Sequence, residues 1–333
     1  MSISECVLKK VSLVKDIDFF RQGIYKNYLE RKDNYLQSGN YLAHFTKAYI
    51  ALDILTKKEM WLNNVSYMND YLEMKNGMGL VGKVVNSHPW HQSFKDALNS
   101  IHPHLFEDVI NTLNLVQNRY FHTYGLCMCE LDKYDLSGNE YMWRNYAGEN
   151  GVAIIFNNQI LNDKIREKDN NLPVELLPMY YYGMQEVAKE VEDVTDFINK
   201  NIGIIRQLDY EIVKKELLDK FTYAVWSLKH PQYSEEKEWR IMTNDKFMRV
   251  PLEEMACIHR DLEIIGNEPR YVYKFDYERA GFRLNDILAR VIIGTCKNPE
   301  KVRELFIREL ATSVDDIESK VIIAEKRIGV NLV

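Results

Sequence analysis

The 333-residue chain is 46% hydrophobic and carries a net charge of −6, with 43 basic and 49 acidic side chains. That composition belongs to globular proteins able to build a real core, and it speaks against nonspecific attachment to nucleic acid through the whole surface. Five cysteines, Cys6, Cys127, Cys129, Cys257 and Cys296, are an odd number and fit no disulfide framework, so reduced thiols and a cytoplasmic setting are expected. The N-terminus lacks a basic region followed by an apolar core, and no apolar run approaches the length of a membrane span, so no membrane partner is expected.

Taken in order, Val14, Ile17, Phe20, Ile24 and Leu29 keep close to helical spacing and predict a lead-in helix within residues 1–35. Residues 36–333 read as one α+β domain, with a mixed, largely antiparallel β core and helical insertions at about 70–120 and 184–229. Tyr41–Thr46 predicts a strand ending near His44, and Thr46 is the candidate N-cap of a helix through Ile50 and Ile54. Met60–Asn64 predicts a second strand; Asn69 or Asp70 is placed to cap the helix that follows. Inside that helix, Gly77-Met-Gly79-Leu-Val-Gly82 matches the dinucleotide fingerprint as a pattern, but no apolar strand precedes it and Pro89 soon follows, so a Rossmann site is rejected. His88, His91, His102 and His104 scatter across helix and loop, so surface histidines of a helical insertion are expected, with a zinc site as the alternative.

His122–Cys129 predicts a buried strand with Cys127 and Cys129 facing one way as core thiols, since Cys-Met-Cys has no second ligand pair. Next, Tyr141 or Met142, Trp143 and Tyr146 share one helix face at i, i+3 or i+4 spacing, bracketed by Gly148 and Gly151, before the clearest strand, Val152–Phe156. Leu172–Tyr182 predicts a strand ahead of the helical insertion. Further strands are expected at Phe247–Pro251, Tyr271–Phe275, Leu288–Gly294 and Val321–Ala324, with a helix from Pro299 to Leu310.

The stretch Lys229–Met242 concentrates the acids. His230-Pro231 ends any preceding helix, and from Glu238 the residues alternate, with Glu238, Arg240 and Met242 on one face and Trp239 and Ile241 on the other, as in a half-buried strand. A solvated edge carrying a Glu238–Arg240 pair is the plain reading; an acid where a loop enters a strand is also well placed for a cleft.

The ordered set His44-Phe-Thr, Trp61-Leu-Asn-Asn with Asn69-Asp70 and Glu73, Cys127, Trp143-Arg-Asn-Tyr146 before Gly151-Val-Ala-Ile-Ile-Phe, Tyr233 through Glu238-Trp-Arg240, and Ile292-Ile-Gly294 resembles the DUF2971 family, from about Tyr41 to the C-terminus. Through that family the chain resembles the ADP-ribosyltransferase fold, in which a His on the first strand, an aromatic residue and a late Glu form the NAD site. The resemblance implies His44, Tyr146 and Glu238 as that triad and NAD as a substrate. It also implies a macromolecular acceptor, protein or nucleic acid, in the setting of a toxin or phage-defence effector.

In that reading Glu238 stabilises charge developing on the ribose, and Glu236 orients or deprotonates the acceptor with Glu235 in reserve. His44 binds the adenosine side, and Tyr146 or Trp143 covers nicotinamide. Arg240 is a candidate for NAD or for pairing with an acid; no metal is required. Two departures stand out: no Ser-Thr-Ser strand is present, and Phe45 follows His44. The alternatives are a noncatalytic nucleotide- or partner-binding module, and a divalent-metal nuclease or other hydrolase built on Asp70, Glu73 and Glu238.

Overall fold

The computed structural model describes residues 3–67, 71–86, 90–116, 122–166, 172–244, 252–265 and 267–325; within these, only the backbone is described for 3–13, 71–75, 114–116, 166 and 253. The chain divides into two compact units, one of residues 1–33, 69–119 and 179–233, the other of 34–68, 120–178 and 234–333.

The first unit is helical. Its long elements are Ile3–Ile24, Tyr71–Val85, Trp90–Ile101, Leu105–Val116, Met184–Ile205 and Tyr210–Ser227. They bury Phe20, Ile24, Val84, Leu98, Ile198 and Leu217 in a core of their own. Asp209 starts the last of these helices, its carboxylate accepting from the Glu211 and Ile212 amides. Gly77, Gly79 and Gly82 lie inside the helix Tyr71–Val85, with their amides in a helical ladder and not in a phosphate-binding loop. His91 and His102 bond the carbonyls of Val85 and Leu208 at 3.0 Å each. No helix among the described residues is long and apolar enough to cross a membrane.

The second unit is built on a sheet of ten strands among the described residues: β1 Tyr41–Lys47, β2 Glu59–Asn64, β3 Thr123–Leu131, β4 Gly151–Phe156, β5 Glu175–Pro178, β6 Glu238–Asn244, β7 Ile258–Ile265, β8 Glu268–Asp276, β9 Leu288–Ile293 and β10 Val321–Ile323. The architecture is mixed α+β with a mostly antiparallel open sheet; β9 and β10 run parallel.

The organising strand is β3. Along one edge it pairs with β6 from Thr123–Asn244 to Cys129–Glu238. The opposite edge is shared: β1 pairs at Tyr41–Ala43 and then leaves with β4, while β2 joins only at Asn63 and Asn64. Both strands run antiparallel to β3 and so parallel to each other, which is why the helix Ala48–Lys57 and not a tight turn connects them. Registered pairing therefore stops short of Leu126–Met128 on that edge. His44 fills part of this fork, its Nδ1 lying 2.8 Å from the Cys127 carbonyl oxygen.

Strand alternation separates two cores. One face carries Leu42, Met128, Ile154, Trp239 and Ile241, covered by residues of the helices Ala48–Lys57 and Pro299–Leu310. The other carries Ala43, Phe45, Cys129, Ala153 and Ile292, covered by Met142, Trp143 and Ala147. Glu238 is registered with Cys129 and belongs to this second face. The half-buried strand expected at Glu238 is corrected accordingly: every residue of β6 is buried, because strands pair along both its edges and side chains cover both its faces. The strand expected at Leu172–Tyr182 shortens to Glu175–Pro178. Lys47, and not Thr46, precedes the helix Ala48–Lys57, since β1 continues to a Lys47–Gly151 pair before turning. Residues 69–70 and 247–251, expected as a helix cap and a strand, lie outside the described residues.

Candidate active site

The segment covering the second face begins at Asn139. Its side chain accepts from the Tyr141 and Met142 amides at 2.9 and 3.4 Å, a capping arrangement that opens one short turn of helix. The chain then widens into a π turn, Trp143–Ala147, closed by the Gly148 amide donating to the Trp143 carbonyl at 2.7 Å. Such i→i+5 turns are uncommon and are frequent at functional sites.

This turn settles which aromatic rings point where. Trp143 goes inward, 1% exposed, its indole N–H donating to the Ser137 carbonyl at 2.7 Å and its ring meeting Phe45 edge-on at 4.9 Å. Two glycines wall its slot: a Cβ on Gly138 would lie 2.8 Å from Trp143 Nε1, and one on Gly294 would lie 2.6 Å from Trp143 Cζ3. Trp143 is thus a packing residue, and its expected place on one helix face with Tyr146 is corrected by the π turn. The ring that joins Tyr146 is Tyr141, five residues earlier. At 3.6 residues per turn that spacing would set the two about 140° apart; the wider turn brings both hydroxyls to Glu236 Oε1, Tyr141 at 3.4 Å and Tyr146 at 3.3 Å.

Glu236 is 3% exposed, whereas Tyr141 and Tyr146 are 37% and 42% exposed. Both hydroxyls donate toward the buried carboxylate. Lys237, at φ 43°, turns the chain into β6, and its carbonyl accepts from the Glu130 amide at 3.0 Å. Asn139 ties the arrangement down further, its Nδ2 donating to the Glu235 carbonyl at 3.2 Å while the Glu235 residue itself stays exposed.

Two residues beyond Glu236, Glu238 forms a bidentate ion pair with Arg240, Nε to Oε1 at 2.6 Å and the second nitrogen to Oε2 at 3.1 Å, with the Glu238 and Arg240 side chains 2% and 1% exposed. Cys129 lies against these acids. Burial first, and then the charges of Glu130, Glu238 and Glu236, push its thiol well above the ordinary range. On β1, burial holds the His44 imidazole below its usual range, opposed by its bond to the Cys127 carbonyl.

The residues therefore sort into two groups. Glu236, Tyr146 and Tyr141 converge directly, with Glu238, Arg240 and Cys129 on the same side of the sheet. His44 shares the strand face of Leu42, with Trp239 and Ile241, and the pleat sets it away from Glu238. His44, Tyr146 and Glu238 do not line one face. Among the described residues no three His, Cys, Asp or Glu side chains are gathered as a metal site; Asp70 and the Glu73 side chain lie outside them.

Residues 142–241 match the DUF2971 family model. The description attached to that family is a protein of unknown function. The DUF2971 segment opens on the residue before the π turn and closes inside β6, so it contains Trp143, Tyr146, Glu236, Glu238 and Arg240. It is shorter than the span from Tyr41 to the C-terminus over which the resemblance was read, and His44, Tyr141 and Gly294 fall outside it. No curated protein and no solved structure matches the chain.

Tyr141 is the participant that sequence reasoning left out of the site. Its signal was the i, i+5 spacing to Tyr146 between the Asn139 cap and Gly148, a separation that belongs to no α-helical face.

Proposed function

We propose that the chain is an NAD-dependent ADP-ribosyltransferase-like protein that breaks the nicotinamide–ribose bond and passes ADP-ribose to a macromolecule in the cytoplasm, an activity suited to a toxin or phage-defence effector. The observation that supports this reading is the Tyr141–Glu236–Tyr146 cluster, a buried carboxylate bonded by two partly exposed tyrosines.

In the reaction the bond from nicotinamide to the ribose carbon breaks and its electron pair leaves with nicotinamide. Positive charge grows on the sugar. A carboxylate held in a low-dielectric setting stabilises that charge far better than one in water, and the ring faces suit a flat leaving group. Glu236 is the acid in this role, because Glu238 is committed to Arg240. An acceptor hydroxyl or similar nucleophile then bonds to the sugar carbon, and Glu235, exposed one residue earlier, takes its proton. Glu238 acts as a positioning residue, holding Arg240 beneath the second face of the sheet. The side chains fit the nicotinamide and ribose end of NAD. Arg240 and His44 Nδ1, bonded to Glu238 and to the Cys127 carbonyl, are not offered to its other end.

Incubating the protein with adenine-labelled NAD and cell lysate tests the reading. Label is expected on a macromolecule with wild-type protein and at least about 100-fold less with Glu236→Gln, the range seen when one group stabilising transition-state charge is removed. Equal labelling by the two would sink it. The bidentate Glu238–Arg240 pair favours a second reading, a noncatalytic module that binds a nucleotide or partner through the tyrosine rings. Saturable NAD binding with no release of nicotinamide would select that one.

A further inference from the structure

The helical unit contains a cavity that the proposed chemistry does not use. Partly open and about 90 Å³ in volume, it is walled by Tyr25, Tyr182, Phe94, Phe221, Val191 and Leu217. That is far more than the 10–15 Å³ or so that one water requires. The walls are aromatic pairs, with Tyr180 and Tyr182 ring centres 5.1 Å apart and those of Phe94 and Phe221 6.0 Å apart.

Two hydroxyls in this lining, Tyr180 Oη and Ser227 Oγ, are buried and have no hydrogen-bonding partner among the described residues; their residues are 9% and 2% exposed. Buried hydroxyls are nearly always bonded, so a pair of them in one apolar lining calls for an acceptor or donor that the described residues do not supply. The backbone holds the two residues side by side: the Tyr180 amide donates to the Ser227 carbonyl at 2.6 Å, and the Lys229 amide to the Tyr180 carbonyl at 2.9 Å.

Charge around the cavity is already matched. Glu190 accepts from Asn27 Nδ2 at 2.7 Å and from Lys220 Nζ at 3.3 Å. Arg31 stands over the Tyr180 ring at 5.0 Å and Lys220 over the Tyr25 ring at 5.8 Å, so cations of the protein already occupy faces that would attract a cationic ligand. The remaining complement is neutral.

We propose that this cavity binds a small neutral aromatic molecule bearing one hydroxyl, of the size of phenol, with its ring among the tyrosines and phenylalanines and its oxygen shared between Tyr180 Oη and Ser227 Oγ. Aromatic walls with a few fixed polar groups are the common make-up of small-molecule sites.

The test is a ligand-observed NMR titration of the full chain with phenol, toluene and benzylammonium. Phenol is expected to bind about tenfold tighter than toluene, the equivalent of one well-made hydrogen bond, and benzylammonium not at all. In a Tyr180→Phe, Ser227→Ala double variant phenol falls to the affinity of toluene while toluene is unchanged. Ala224→Phe fills the cavity and abolishes binding of both. Should that variant fail to fold by circular dichroism, the ratio of phenol to toluene in the wild-type chain still decides. Equal affinities, binding of benzylammonium, absence of phenol binding at millimolar concentration, or phenol binding that survives Ala224→Phe would each overturn the proposal.

Discussion

Replacing Glu238 by glutamine removes the negative half of a two-bonded ion pair and leaves the Arg240 guanidinium, 1% exposed, without its counter-charge. Breaking one side of a buried pair costs about 3–5 kcal/mol, because the surviving charge has lost both water and partner. Set against a total stability of roughly 5–15 kcal/mol, that is a large share. With about 2–4 °C of melting temperature per kcal/mol for a unit of 150–250 residues, the expected drop is about 6–20 °C. Urea unfolding followed by circular dichroism measures the free energy, and a Glu238→Met, Arg240→Met variant completes the comparison. Removing both charges together is expected to restore most of the loss, since apolar side chains of similar volume often replace a buried pair at little cost. A Glu238→Gln loss below about 1 kcal/mol, the level of an exposed pair, would refute the argument. The experiment also governs activity measurements: a Glu238 variant that is inactive and unstable says nothing about chemistry, which is why Glu236→Gln carries the catalytic test.

Three further outcomes are expected. Gly294→Ala places a Cβ 2.6 Å from Trp143 Cζ3 and 3.0 Å from the Gly151 carbonyl, overpacking that should cost about 1–3 kcal/mol in urea unfolding. Cys129, buried and with its thiol pushed up, should resist iodoacetamide at pH 8 in the native protein and react once unfolded, as read by mass spectrometry of its peptide. His44 is held below its usual range when folded, so the unfolded chain binds more protons as pH falls through about 6.5; stability is full above that pH and declines below it, and His44→Gln should flatten this acid limb.

The mixed α+β class and most of the strands were legible because apolar runs such as Val152–Phe156 and Leu288–Ile293 state their burial directly. What misled was cancellation. Glu238 and Arg240 read as a polar face when taken one residue at a time, yet as a pair they neutralise each other and are buried. The strand Ile258–Ile265 escaped notice for the opposite reason: Leu262 and Ile264 are 56% and 77% exposed, so its apolar residues do not mark a core. His44 was correctly set on the first strand, but the pleat decides its face, and only the pairing of Ala43 with Cys129 reveals that this face is not that of Glu238. The convergence of Tyr141 and Tyr146 depends on a π turn whose hydrogen bonds leave no local mark in residue type.

That turn also makes the site depend on counting. Between the Asn139 cap and Gly148 the two hydroxyls meet one oxygen only because a single extra residue is wound into the helix. Inserting one further residue between the tyrosines would leave every side-chain type in place yet swing Tyr146 by about 100° relative to Tyr141, away from the carboxylate. Substitutions that spare both tyrosines are consistent with an intact cluster; an added residue between them is not, so the spacing of this short segment is as much a part of the site as its hydroxyl groups.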